Sequence, residues 1–131
     1  MSTRLALVFA LAPIALAGCT QDKPAKRPVV SPAAKIVGKP QSCVSLTQLR
    51  ETRIRDDWTI DFIGNGDKAW RNTLTSRCSG LKMNDAITYE TSLSQLCNTD
   101  IVYVLARIGG DLRRGAACSL GQFVPVKLEK K

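Results

Sequence analysis

Histidine is absent from all 131 residues. That gap removes Ser-His-Asp and Cys-His nucleophile systems, imidazole-ligated zinc or copper, and the commonest general base near neutral pH. The five cysteines, Cys19, Cys43, Cys78, Cys97 and Cys118, include no C-x-x-C pair, which argues against a thioredoxin-like redox centre and a zinc or iron–sulfur site. Aromatic residues make up only 5% and are not interleaved with a concentrated basic face, so nucleic acid is not an expected partner. Gly64-x-Gly66 and Gly109-Gly110 lack a Walker lysine and a following helix; they read as turns, not phosphate loops. No cofactor and no metal is expected.

Long apolar runs are also missing, with one exception. Leu5 to Leu16 follows a cationic start at Arg4 and would span roughly 18 Å as a helix, short of the roughly 30 Å hydrocarbon core. It ends in Leu16-Ala17-Gly18-Cys19, the form of a lipobox: small residues to fit a peptidase cleft, then a thiol to carry diacylglycerol. Ala15-Leu16-Ala17 also makes an A-x-A site that would release a soluble periplasmic chain from Gly18. Cysteine parity separates the two. Lipidation of Cys19 leaves four cysteines to pair in an oxidising compartment, whereas the soluble product would carry an odd thiol. The expectation is a bacterial lipoprotein with signal 1–18, and Thr20 after the cysteine resembles the pattern that sorts such proteins to the outer membrane, facing the periplasm. Acyl chains such as palmitate hold at roughly 0.8 kcal/mol per buried CH₂.

Residues 19–42 form the expected tether, with prolines at 24, 28, 32 and 40 and five basic residues against Asp22 alone. Such composition predicts a solvated linker, reaching about 70 Å when extended and about 30 Å as a coil. The tether carries +4 of the mature chain's net +7, and the remainder only +3. Its lysines and arginine suit a spacer, or attraction to anionic lipid or lipopolysaccharide at about 1 kcal/mol per basic residue.

Residues 43–131 are enough for one modest core. Trp58, Ile60 and Phe62 alternate with polar residues, Gly64-Asn65-Gly66-Asp67 supplies a turn, and Lys68 to Leu74 returns with Trp70 and Leu74 in phase; this predicts a hairpin. Thr52 to Arg55, Ala86 to Glu90, Ile101 to Leu105 and Phe123 to Leu128 read as further strands, with Pro125 marking an edge or bulge. Arg113 to Ala117 reads as a loop. Ser45-x-x-Gln48 and Ser92-x-x-Gln95 have capping-box spacing and predict single helical turns. The expected fold is all-β, a small antiparallel barrel or sandwich of about six short strands braced by two disulfides. Three pairings of four cysteines are open; closing the shortest loop favours Cys78–Cys97 with Cys43–Cys118.

Cys43-Val44-Ser45-Leu46, Asp56-Asp57-Trp58-Thr59-Ile60, Cys78-Ser79-Gly80-Leu81, Leu96-Cys97-Asn98-Thr99-Asp100-Ile101 and Cys118-Ser119-Leu120-Gly121-Gln122-Phe123 together resemble a family of small exported proteobacterial proteins of unknown function. The resemblance covers most of 43–126 and implies one disulfide-braced domain. It brings no activity and no catalytic residue.

Asp56, Asp57 and Asp61 are the one local acidic cluster, and Asp57 with Asp61 would be the pair for a small periplasmic hydrolase. A turn followed by a solvated strand face explains all three and is the favoured reading. Trp58 and Trp70, expected to face each other across the hairpin, and Arg113-Arg114 are the candidate binding residues. A non-catalytic envelope module is the expected function; a hydrolase or a soluble inhibitor-type protein is the rival.

Overall fold

The computed structural model describes residues 26–130. The signal, Cys19 and the first part of the tether lie outside the described residues. Ten strands run in the order β1 (Ala34–Ile36), β2 (Cys43–Ser45), β3 (Leu49–Asp56), β4 (Thr59–Gly64), β5 (Ala69–Thr73), β6 (Ile87–Tyr89), β7 (Gln95–Cys97), β8 (Ile101–Ile108), β9 (Asp111–Ser119) and β10 (Phe123–Leu128). They form a five-stranded sheet β1-β10-β5-β4-β3, a pair β2-β7 and a three-stranded sheet β6-β8-β9, antiparallel throughout. The fold is all-β, and among the described residues no sheet closes into a barrel. Ten strands replace the expected six because several, such as β1, β2 and β7, have only three residues, too few to show a period in sequence.

The central hairpin forms as its alternation predicts. Ile60 pairs with Asn72 and Phe62 with Trp70, which places these side chains on one face because successive residues point to opposite sides of a strand. Phe62 meets Phe123 of β10 edge-on, centroids 5.4 Å apart. The two lie in one core with Ile54, Leu74, Leu81, Leu96, Val102 and Val104. Gly66 takes φ 67° in the connecting turn, a conformation in which a Cβ is strained. Trp58 precedes β4, and its carbonyl accepts from the Leu74 N–H. It therefore does not face Trp70, whose partner is Phe62, four residues further along the strand than expected.

Polar groups buried in this core are paired. Asn72 is fully buried; its Nδ2 donates to the Gly121 carbonyl at 2.7 Å and its Oδ1 accepts the Gly121 N–H at 2.9 Å. This reciprocal pair ties β5 to the turn before β10. Gly121 is required there, since a Cβ would sit 2.1 Å from the Thr73 carbonyl oxygen.

Several expectations are corrected. Pro125 lies inside β10, flanked by β5 and by the chain around β1, not at an edge. Its carbonyl accepts the Val37 N–H at 2.9 Å, but it has no N–H to return. β1 stops at Ile36, and pairing resumes only where Gln41 and Phe123 exchange two bonds at 2.9 Å. Residues 34–41, inside the expected tether, thus join the sheet. Arg113 to Ala117 is strand, not loop: the Gly109–Gly110 turn, both at positive φ, sends β9 back along β8 although its residues are mostly exposed. Ser92 to Gln95 forms no helix; Gln95 begins β7. Ser45 does precede a 3-10 turn, Leu46–Gln48, without a side-chain cap, and a four-residue helix α1 (Leu81–Asn84) carries no capping box.

The disulfides are Cys43–Cys97 and Cys78–Cys118. The expected Cys43–Cys118 and Cys78–Cys97 pairing is wrong because strand register, not loop length, decides. Cys43 lies directly across from Cys97 in the β2-β7 pair, with Cα atoms 4.0 Å apart, and Cys78 follows Thr75, whose N–H donates to the Ser119 carbonyl of β9 at 3.3 Å. The chain-entropy estimate gives about 4 kcal/mol for each loop.

Candidate functional site

Asp61 is the least expected residue of the five-stranded sheet. It sits in the middle of β4 on the face opposite Phe62, directly between Arg53 of β3 and Arg71 of β5, and is fully buried. Burial of a carboxylate requires partners, and two guanidiniums supply them. Arg55 donates from Nε to Oδ2 at 2.7 Å; Arg71 donates from Nε to Oδ1 at 2.7 Å and from Nη2 to Oδ2 at 2.9 Å. Arg71 Nη2 also donates to the Pro32 carbonyl at 2.9 Å. The end of the expected tether therefore lies on this face of the sheet, and further along Arg27 stacks over the Trp58 ring at 5.1 Å.

Asp57 is committed elsewhere. Its Oδ1 accepts the Lys82 N–H at 2.9 Å at the start of α1, and its Oδ2 pairs with Arg77 at 2.8 Å. The Lys82 N–H, reinforced by Arg77, holds its carboxyl below the usual carboxylate range. Asp56 accepts the Trp58 N–H at 2.7 Å, closing the turn between β3 and β4. The three carboxylates are thus separated into three structural tasks.

Beside the Asp61 network lies a broad groove of about 1250 Å³. Six basic residues line it: Lys35 of β1, Arg53 and Arg55 of β3, Lys68 before β5, and Lys127 and Lys130 at the end of β10. Asp67 and Glu129 are its acidic residues. Arg53 is paired with Glu51 at 2.8 Å on the surface, and Arg55 with Asp61. The four lysines form no ion pair among the described residues. Arg55 Nη2 is buried with no hydrogen-bond partner among the described residues. Next to the groove is an apolar cleft of about 420 Å³ formed by Val37, Trp70, Pro125 and Val126, which shares Asp67, Lys68, Ala69 and Lys127 with it.

Of the sequence-expected binding residues, Trp70 is mostly core but lends an edge to the apolar cleft. Trp58 is half-buried and covered by Arg27. Arg114 pairs with Glu90 and stacks on Tyr103 at 5.2 Å, and Arg113 projects from the β8–β9 hairpin, away from the groove in the sheet order. The structure does not bring these residues together. The groove cations were missed because they come from four separate strands. The one signal in sequence was Arg53-x-Arg55 on a strand facing Asp61, where spacing of two puts both guanidiniums on one side.

No family model, no curated protein and no solved structure matches the chain, so its function is argued from these residues alone.

Proposed function

We propose that the chain is a bacterial envelope lipoprotein, held at the outer membrane by acylated Cys19 and acting as a non-catalytic binding or structural module. The observation that carries this is the fate of the carboxylates. Asp61 is buried under Arg55 and Arg71, and Asp57 is fixed by Lys82 and Arg77, so both are engaged in structural contacts, while the groove beside Asp61 keeps lysines that form no ion pair among the described residues. Two disulfides support an oxidising, exported setting. Membrane contact through the N-terminal lipid, helped by the basic tether, agrees with the charge distribution.

Intact mass spectrometry on protein from the native membrane fraction tests the reading. The expected mass begins at Cys19, carries diacylglycerol and an amide-linked acyl chain, and rises by four protons on reduction of the two disulfides. A mass beginning at Gly18 without lipid overturns it.

A further inference from the structure

We propose that the groove and its neighbouring cleft form one site for an anionic amphiphile, the phosphate headgroup held by Lys35, Lys68 and Lys127 and the first part of the acyl chain laid against Val37, Trp70 and Pro125. The proposal rests on the envelope reading and gives it a ligand class.

Three observations converge. Four lysines that form no ion pair among the described residues, against two acids in one groove, suit a multiply charged oxyanion better than a single carboxylate, because each added lysine on a singly charged ligand raises self-repulsion for little gain. Lys68 and Lys127 stand on the boundary between groove and apolar cleft. A bare phosphate would use the groove and leave the cleft wet; a phosphate attached to a hydrocarbon chain covers both. Val37, just after β1, is 59% exposed, so the apolar wall of the cleft is open to solvent.

The test uses the full mature chain with Cys19→Ser, so that no acyl chain of its own contributes, titrated by calorimetry with dihexanoyl phosphatidic acid below its micelle concentration, with glycerol 3-phosphate, and with dihexanoyl phosphatidylcholine. Phosphatidic acid should bind tightest. The double variant Lys68→Glu/Lys127→Glu should weaken it roughly tenfold or more, and Val37→Asp should bring phosphatidic acid down to the affinity of glycerol phosphate. The control Arg107→Glu/Arg113→Glu makes the same change in net charge on the distant β8–β9 hairpin and should cost less than about twofold. All five substituted side chains are exposed, and unchanged circular dichroism checks that folding is retained. Equal losses in the two double variants would mean that net charge alone is read. Equal affinity for glycerol phosphate and phosphatidic acid would leave the cleft without a role, and equal affinity for phosphatidylcholine would remove the phosphate charge requirement; each overturns the proposal. None of these outcomes alters the mass that tests the lipid anchor.

Discussion

At the scale of single residues, charge placement governs what the domain tolerates. Asp61 accepts three charge-assisted bonds at a fully buried position. Asp61→Asn leaves Arg55 and Arg71, both largely buried, without a counter-charge, and removing one partner of a buried pair costs about 3 kcal/mol or more. Urea denaturation should show a midpoint lowered accordingly, with a similar slope. Asp57 behaves differently because it is partly exposed and its acid is stabilised as the anion. A carboxylate depressed in the folded state adds stability above its unfolded value, about 3.9, and that contribution is lost as pH falls through the lower folded value. Asp57→Ala should therefore cost about 1 kcal/mol at neutral pH, and the gap from the unsubstituted protein should narrow as pH falls below the ordinary carboxylate range. Parallel urea titrations at pH 7 and in acid check both parts.

Among the elements, the two disulfides differ in access. Cys78 and Cys118 are 1% and 4% exposed, whereas Cys43 and Cys97 are half-buried in the two-stranded pair β2-β7. Phosphine reduction without denaturant, followed by alkylation and peptide mapping, should label Cys43 and Cys97 first. Element by element, legibility followed period and length. The β4–β5 hairpin and β10 carry alternation over five or six residues and could be read directly. β9 could not, because its Asp111 to Gly115 half is exposed and its hydropathy has no period; a two-glycine turn and the partner β8 impose the strand from outside. The candidate site was hidden for a related reason. Asp61 stood out in sequence as an acid on a strand face, but its neutralising arginines are six and ten residues away, and only the three-strand register makes them neighbours.

For the whole molecule, the tether boundary shifts most. A proline-rich basic stretch reads as linker by composition, yet Ala34 to Ile36 pairs with β10, and Pro32 and Arg27 contact Arg71 and Trp58. Only the first part of the expected tether is then left as spacer between Cys19 and the folded sheet, and the reach of the extended linker shortens in proportion.

The crossed order of the disulfides has a mechanical side. Cys43 is tied to Cys97 and Cys78 to Cys118, so two covalent routes of nearly equal length join Cys43 to Cys118: across both bridges by way of residues 97 back to 78, or across the first bridge and on along residues 97 to 118. Pulled from its two ends, the section between these cysteines can span no more than about 75 Å even when every strand has come apart. A nested pair would confine extension to a single bridge and place the whole load on it. Here the load divides between two routes that share the Cys43–Cys97 bridge, and the middle section stays gathered.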